Sequence, residues 1–330
     1  MRVELREISL KLRLPVITSR GAITQRDGML VQVSDGGVTG WGEALPLPGW
    51  PGTDLSATRR ALEQWAGDPD PDDLPNERFA HGAVELALLD LEARRTGQTQ
   101  AAVLAAGGAV ADSIEVNALV SDAHTAAAAV AAGFRTVKLK VGASDLDEDV
   151  ASVAAVRNAV GADTRLRLDA NGAWTVGEAA KALARLEQYE IEYVEEPVAG
   201  IESLAQVVSQ SPIPVAVDDS LGSVDAQVPE SISVIVVKPM ALGGPRTAIA
   251  AARRWADQGR KVAVTNYMDS AIGQHAALSV AAALPGPPQV HGAITPLLFM
   301  QDIAELPLVT HGQCPLPSHS PVPVGINLDD

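Results

Sequence analysis

The first 50 residues carry two alternating patterns of apolar and polar positions. "VELREISLKLRL" (residues 3–14) alternates with a period of two, and "MLVQVSDGGVTGWGEA" (residues 29–44) does the same around a turn signal at Asp35-Gly36-Gly37. Such alternation puts one face of a strand on a core, and a glycine turn between two such runs is typical of a hairpin. Helical patterns follow over about residues 53–65 and 77–97. The start of the chain is therefore predicted to form a small α+β unit.

From about residue 113, short apolar runs alternate with alanine-rich amphipathic segments. Runs such as "TVKLKV", "RLRLDAN" and "ISVIVVKP" are separated by helix-like segments such as "DEDVASVAAVRNAV". This alternation predicts parallel strands joined by crossover helices. Seven or eight such units over roughly 190 residues fit a closed barrel better than an open doubly wound sheet. A dinucleotide fold is disfavoured because no GxGxxG loop follows the first of these strands.

The predicted fold class is α/β, a modified (β/α)7β TIM-type barrel with an α+β capping domain built from the N-terminal and C-terminal segments. Residues 1–110 are predicted to form the N-terminal capping domain and residues 111–302 the catalytic barrel. Residues 303–330 are proline-rich and are expected to return to the cap.

Charge and composition narrow the possible partners. The formal net charge is −16, which disfavours nucleic acids and anionic membrane surfaces. No apolar run has the length of a membrane span, and the charged, alternating N-terminus is unlike a signal peptide. Cys314 is the single cysteine, so no internal disulfide can form. We expect a cytoplasmic protein that acts on a small molecule, and the sequence does not define its oligomeric state.

Lysine is used sparingly, and its positions are informative. Of 25 basic residues 19 are Arg and only six are Lys. Lys138 and Lys140 lie two apart in "TVKLKVG", so on a strand they share one face. Lys238 follows another apolar run. Lys can lose its proton when its pKa is lowered, whereas Arg in practice cannot, so these positions suggest proton chemistry.

Acidic residues occupy the ends of three successive predicted strands. Asp169 ends the third, the pair Glu195-Glu196 the fourth and the pair Asp218-Asp219 the fifth. Each could be an ordinary loop or capping acid, and a Lys pair alone could be a solvated edge. Chemistry in a β/α barrel gathers at the carboxyl ends of its strands, however, and three carboxylates without a nearby His or Cys suit a hard cation. The sequence therefore predicts a Mg²⁺ site, with Mn²⁺ as the alternative, in which one acid of each pair faces the barrel.

The order Lys-x-Lys, Asp-x-Asn, Glu-Glu-Pro, Asp-Asp-Ser and Lys-Pro resembles the enolase superfamily. "TQRDGMLVQV", "GWGEALPLPG" and "LRLDANGAW" are similar to its o-succinylbenzoate synthase (MenC) branch. The resemblance implies Asp169, Glu195 and Asp218 as metal ligands and a substrate that is a small carboxylate. It also implies Mg-dependent dehydration of 2-succinyl-6-hydroxy-2,4-cyclohexadiene-1-carboxylate to o-succinylbenzoate, for menaquinone synthesis.

The same resemblance implies roles for the lysines. Lys140 would remove the α-proton and return it to the departing hydroxide, and Lys238 would stabilise the enediolate through its charge. Lys138 would lower the pKa of Lys140, because a neighbouring ammonium group disfavours a second positive charge. Arg167 could add to this effect, although a structural ion pair is its better-supported role. Asn171 and Asp219 are predicted to lie just behind the metal ligands.

Substrate contacts are predicted in three loops. Ser19, Arg20 and Gly21 resemble part of a cap loop that closes over the site. Asp269 and Ser270 should precede the helix after the seventh strand, where N–H groups could hold the succinyl carboxylate. Gly243 and Gly244 could expose N–H groups in the same way. An ordinary capping turn is the alternative for each loop, and Asp269 is an awkward neighbour for an anion.

Three other functions remain open on the residues alone. An N-succinylamino acid racemase or a dipeptide epimerase would use Lys140 and Lys238 as bases on opposite faces of the α-carbon. A metal-free Schiff-base lyase would use a barrel lysine as nucleophile, although the three acids argue against it. A non-catalytic binding protein would bind Mg²⁺ without turnover. The six histidines are expected to satisfy local hydrogen bonds or to lie on the surface.

Overall fold

The N-terminal part of the computed structural model is an antiparallel sheet covered by helices. The structure describes residues 1–18, 21–49, 52–295 and 298–324. The sheet has the order β1-β2-β3, with the predicted hairpin turn between the second and third strands. These elements are β1 (Arg2–Thr18), β2 (Gly21–Asp35), β3 (Val38–Ala44), α1 (Leu55–Gly67), α2 (Arg78–Thr96) and α3 (Gln100–Ala105).

Two glycines allow helix α2 to lie directly on strand β3. A Cβ atom at Gly42 would lie 2.0 Å from the carbonyl oxygen of Ala83, and one at Gly40 would lie 2.2 Å from that of Ala87. Both distances are far below van der Waals contact, so only glycine permits this approach. Because neighbouring strand residues point to opposite faces, Glu43 is directed away from α2, towards the barrel.

The second part of the chain is a parallel sheet wrapped by helices. Seven strands lie in the order β11-β10-β9-β8-β7-β6-β5. The strands are short and buried on both faces, as expected for a parallel sheet covered by helices. The elements are β4 (Ser113–Val116), β5 (Ala118–Val120), α4 (Ala123–Ala131), β6 (Thr136–Lys140), α5 (Leu146–Val160), β7 (Arg165–Asp169), α6 (Val176–Leu186), β8 (Ile191–Glu195), α7 (Ile201–Val208), β9 (Val215–Val217), β10 (Val234–Val237), α8 (Pro245–Asp257), β11 (Lys261–Val264) and α9 (Ala271–Ala282).

A short last strand, β12 (Val290–His291), closes the barrel. It pairs in parallel with β4, which continues into β5 after a break at Asn117. On its other side, Gly292 forms a bridge with Thr265 at the end of β11. Taking β4 and β5 as one interrupted strand, the described residues form eight strand positions, so the predicted (β/α)7β barrel with a capping domain is confirmed.

One unit of the barrel departs from the regular pattern. Between β9 and β10 the described chain forms a short 3₁₀ turn, Asp219–Leu221, and irregular backbone where the other units have an α-helix. The chain at residues 222–233 therefore crosses the outside of the barrel without a covering helix.

The C-terminal residues contact both parts of the molecule. Strand β13 (Gln313–Pro315) pairs antiparallel with β4. The guanidinium group of Arg94 on α2 donates to the carbonyl oxygens of Ser320 and Pro321 at 3.1 and 3.0 Å. In the described part of the chain, no helix combines the length and apolar character needed to cross a bilayer.

We predict that two buried histidines weaken the fold in mild acid. Burial lowers the pKa of His275 to about 4 and that of His291, whose Nδ1 accepts from the backbone N–H of Val264, to about 3. The unfolded chain protonates its histidines near 6.5, so it binds more protons than the native state below that pH. Stability is therefore lost as the pH falls from about 6.5 towards the native values, by about 2 kcal/mol per histidine at pH 5.

Urea denaturation at pH 7 and pH 5 measures this loss. His291→Asn should shrink the difference between the two pH values by about 2 kcal/mol, and His124→Asn, at an exposed position of α4, should leave it unchanged. An identical pH dependence in His291→Asn and the parent protein would contradict the prediction.

Candidate active site

Three neighbouring strands deliver buried carboxylates to one end of the barrel. Asp169 is the last residue of β7, Glu195 is the last residue of β8, and Asp218 follows β9 directly. The strand register places Asp169 opposite Glu195 and Glu195 opposite Ala216. The exposed fractions of the three acids are 4%, 2% and 6%. The parallel register therefore gathers them, as the strand-end positions predict.

Two lysines make short ion pairs with these acids. The Nζ atom of Lys138 lies 2.9 Å from Asp169 and 2.7 Å from Glu195. The Nζ atom of Lys238 lies 2.6 Å from both Asp218 and Asp219. Four carboxylates are thus in direct contact with two ammonium groups.

The acids determine the charge state of both lysines. Burial opposes an ammonium charge, but Asp169, Glu195 and Asp218 outweigh it and raise the pKa of Lys138. Asp218 and Asp219 outweigh burial in the same way and raise the pKa of Lys238 well above its ordinary value. Both side chains are therefore positively charged at neutral pH.

The donor set suits a divalent cation of the Mg²⁺ type. All its members are carboxylates, which are the hard oxygen ligands that Mg²⁺ prefers. The Oδ1 atom of Asp218 is buried and has no hydrogen-bond partner among the described residues. Buried polar atoms normally have one, so this oxygen has a free coordination position.

The ammonium groups contact all three predicted metal ligands. No three Asp, Glu, His or Cys side chains of the described residues form a ready-made metal-binding group. Instead, Lys138 bridges two of the acids and Lys238 contacts the third.

Lys140 and Lys238 belong to opposite sides of the barrel. Strands β6 and β10 are four positions apart in the sheet order, which in an eight-stranded barrel is half of the circumference. Lys140 ends β6 opposite Asp169 and is exposed to solvent. The acids of β7, β8 and β9 lie between these two strands. The site can therefore present an amine to each face of a bound carboxylate.

Comparison with known proteins identifies the family. The family "Enolase C-terminal domain-like" matches residues 121–321, and "MenC, N-terminal domain" matches residues 1–77. The chain belongs to the MenC branch of the enolase superfamily.

Relatives with two different activities resemble this superfamily member. An o-succinylbenzoate synthase of Thermobifida fusca is 31% identical over 313 residues, covering 92% of this chain and 85% of that protein. A hydrophobic dipeptide epimerase of Roseobacter litoralis is also 31% identical, covering 74% and 76%. The solved structure of an Enterococcus faecalis dipeptide epimerase, in complex with Mg and L-Leu-L-Tyr, matches with a TM-score of 0.81 at 25% identity over 97% of each chain.

Three residues were predicted to lie behind the metal ligands, and each makes a different kind of contact: Arg167, Asn171 and Asp219. Arg167 lies inside the barrel, where it pairs with Glu192 at 2.7 Å and donates to the carbonyl oxygen of Val290. Asn171 contributes its backbone N–H, which donates to Asp169 at 3.1 Å, and its side chain is exposed. Asp219 was predicted to lie behind a metal ligand, and in the structure its carboxylate pairs directly with Lys238.

Glu196 has a structural contact that the Glu195-Glu196 motif alone does not reveal. Its carboxylate accepts from the backbone N–H of Asp218 at 2.8 Å and of Ser220 at 3.0 Å, and also from the Ser220 hydroxyl. Burial raises its pKa to about 7. The second acid of Glu-Glu-Pro therefore holds the backbone that carries Asp218. The pairing of two acids before proline was the available signal.

The start of helix α9, where Asp269 and Ser270 are predicted to contact substrate, binds carboxylates of the same chain, and that substrate contact stays a prediction. Glu43, on cap strand β3, accepts from the backbone N–H of Ser270 at 3.0 Å and of Gly273 at 3.1 Å, and also from the Ser270 hydroxyl. Asp302 accepts from the N–H of Ala271 at 3.0 Å. These N–H donors are therefore bound to carboxylates of the same chain in the described structure.

The start of helix α8, just after Gly243 and Gly244, also binds a glutamate of the cap, and the predicted substrate contact of the two glycines stays a prediction. Glu85, on cap helix α2, accepts from the backbone N–H of Arg246 at 2.7 Å and of Thr247 at 3.2 Å. A Cβ atom at Gly244 would lie 2.3 Å from Glu85 Oε1, so glycine gives the carboxylate access to the start of α8. The cap thus supplies a glutamate to each of the two helices that flank β11, and these contacts fasten it to the barrel.

Two of the three residues predicted to form a cap loop over the site lie outside the described ranges. Ser19 and Arg20 lie there, and their predicted contact with substrate stays a prediction. Gly21 begins β2 with a φ of 120°, a conformation suited to glycine.

Two side chains beside the lysines, Leu119 and Tyr267, were not predicted from the sequence. Leu119 is the register partner of Lys138 and is 61% exposed, so it offers an apolar surface beside the lysine pair. Tyr267, in the loop after β11, lies under Lys238, with Nζ 5.6 Å from its ring centroid. Neither residue belongs to a recognisable motif.

Proposed function

We propose that this protein is an o-succinylbenzoate synthase. It would convert 2-succinyl-6-hydroxy-2,4-cyclohexadiene-1-carboxylate to o-succinylbenzoate and water, a carbon–oxygen lyase reaction of menaquinone synthesis. The observation that carries the proposal is the pair of lysines on opposite sides of three buried carboxylates. The match of residues 1–77 to the MenC N-terminal domain, together with the relative that covers 92% of the chain, favours this reaction over others of the superfamily.

Asp169, Glu195 and Asp218 would hold the metal, which we propose to be Mg²⁺ with Mn²⁺ as a substitute. When bound, a divalent cation acts as a Lewis acid that polarises the substrate carboxylate and makes the α-proton more acidic. Glu196 holds the Asp218 backbone in place for this role.

Lys140 is the proposed base. Its amine takes the proton from the carbon that bears the carboxylate, and the electron pair of the broken C–H bond is delocalised into the carboxylate. The same ammonium then gives the proton to the hydroxyl group on the adjacent carbon. The C–O bond breaks, water leaves and the ring becomes aromatic. One residue serves both steps because the proton and the hydroxyl group leave from the same face.

The two other lysines have supporting roles. Lys238 stabilises the negative charge that develops when the α-proton leaves, from the opposite side of the barrel. Lys138 shares a strand face with Lys140 and pairs with Asp169 and Glu195, so it holds two of the proposed metal ligands in place.

Racemisation of N-succinylamino acids or epimerisation of dipeptides is the second candidate. It is favoured by the dipeptide epimerase of equal sequence identity and by the two opposed lysines, which could serve as bases on either face. Both reactions begin with the same removal of an α-proton.

Two assays separate these functions. We expect the cyclohexadiene absorbance to disappear when purified protein and Mg²⁺ are added, and the reaction to stop in EDTA. N-succinylphenylglycine and L-Leu-L-Tyr, incubated in D₂O, report racemase and epimerase activity as deuterium exchange with inversion. If the protein inverts the α-carbon of either compound but does not dehydrate the cyclohexadiene, the second candidate is correct and the proposal is wrong. Full turnover in EDTA, with borohydride trapping of substrate, would indicate a Schiff-base lyase instead.

A further inference from the structure

A row of side chains leads from Lys238 to the start of cap helix α2. The Lys238 ammonium lies over the Tyr267 ring, and Tyr267 stacks on Phe79 with ring centroids 6.0 Å apart and an interplanar angle of 27°. The guanidinium carbon of Arg78 lies 5.0 Å from the Phe79 centroid. Arg78 and Phe79 are the first residues of cap helix α2, so the cap supplies the outer half of this row.

The guanidinium group of Arg78 is positioned but not neutralised by its observed hydrogen bonds. Its NH1 group donates to the carbonyl oxygen of Gly222 at 2.8 Å, and NH2 donates to that of Gly52 at 3.5 Å. Both acceptors are uncharged. Among the ion pairs formed by the described residues, none involves Arg78. The side chain is half-buried, and the contact with Gly222 is exposed.

Two lysines and two helix starts near the site are bound by carboxylates of the described chain. Lys138 and Lys238 contact carboxylates directly. The starts of α8 and α9 are occupied by Glu85 and Glu43. Arg78 differs from these groups in contacting only uncharged acceptors, one of which, Gly222, lies in the loop that follows Asp218 and Asp219.

We propose that Arg78 binds the distal carboxylate of a dicarboxylate substrate. The inference rests on the proposed function, whose substrate carries one carboxylate at the reacting carbon and a second at the end of a succinyl chain. The first carboxylate belongs at the acidic trio. The second needs a cation away from that trio, and the planar guanidinium fork of Arg78 matches carboxylate geometry.

Binding measurements test this directly because they do not require turnover. Isothermal titration with Mg²⁺ present would compare o-succinylbenzoate with 2-butyrylbenzoate, in which a methyl group replaces the distal carboxylate. The parent protein should bind o-succinylbenzoate more tightly. Arg78→Gln should weaken that ligand by about 10- to 100-fold, as expected for a charge-assisted hydrogen bond, and leave 2-butyrylbenzoate nearly unchanged.

Controls distinguish recognition from a role in holding the cap. Arg185→Gln removes an exposed Arg on the outer helix α6 and should change neither ligand's affinity. Arg20→Gln tests the alternative cation of the cap loop. If Arg78→Gln weakens both ligands equally, or if only Arg20→Gln removes the preference for the dicarboxylate, the proposal is wrong.

Exchange kinetics separate this inference from the proposed function. Arg78→Gln should raise KM for deuterium exchange of N-succinylphenylglycine and leave that of N-butyrylphenylglycine unchanged. A protein that fails to dehydrate the cyclohexadiene but keeps the Arg78-dependent preference would overturn the synthase assignment and support the role of Arg78.

Discussion

Lys140→Ala is expected to reduce dehydration by at least about 10³-fold, because it removes the only proposed base on its side of the substrate. General acid–base groups typically contribute about 10²- to 10⁴-fold, and Lys140 would act in both the proton removal and the proton return. The residue is exposed at the end of β6, so its truncation leaves no buried group without a partner. The variant should fold normally and bind Mg²⁺ and o-succinylbenzoate with little change.

Single-turnover absorbance measurements would quantify the loss of dehydration rate. Deuterium exchange would show whether the lost step is removal of the α-proton. If Lys140 is the base, exchange at the α-carbon of N-succinylphenylglycine from that face should disappear as well. Lys181→Ala, at an exposed position of α6, is the matched control and should retain full activity. Near-normal turnover by purified Lys140→Ala would contradict the proposed mechanism.

Asp218→Asn is expected to abolish Mg²⁺ binding in the millimolar range and to lower turnover by about 10³-fold or more. A metal acting as a Lewis acid supplies several kcal/mol of stabilisation to the transition state, and each 1.36 kcal/mol corresponds to a tenfold change in rate. The buried Oδ1 atom of Asp218 has no partner among the described residues, which marks it as an available ligand. The change also removes a negative charge that lies 2.6 Å from Lys238.

Titration calorimetry with Mg²⁺, or electron paramagnetic resonance with Mn²⁺, measures the binding without reference to activity. Asp257→Asn, an exposed acid at the end of α8, should bind metal like the parent protein. Thermal denaturation of both variants checks that the fold is retained. Unchanged metal affinity in Asp218→Asn would show that the cation, if it binds, uses other ligands.

The local pattern of the chain determined the fold class and the order of the site residues. Alternating strand and helix patterns predicted the barrel because each unit is formed by residues close together in sequence. The acids at Asp169, Glu195 and Asp218 could be placed together because carboxyl ends of parallel strands share one edge. The lysines on opposite sides follow from counting strands between "KLK" and "VVKP". These inferences need only chain order and strand geometry.

Only the tertiary structure decided which distant carboxylates bind the N–H groups at the helix starts and where the cations of the cap lie. The starts of α8 and α9 resemble anion sites in sequence, but Glu85 and Glu43 reach them from more than 150 residues away. Arg78 is an ordinary residue at the start of a cap helix until the fold places it beside Gly222 and Phe79. The missing helix between β9 and β10 and the closure of the barrel through β4 and β12 are also long-range results. Contacts of this kind depend on how distant segments pack. A local hydrophobic pattern therefore does not predict which distant carboxylate will bind a given N–H group.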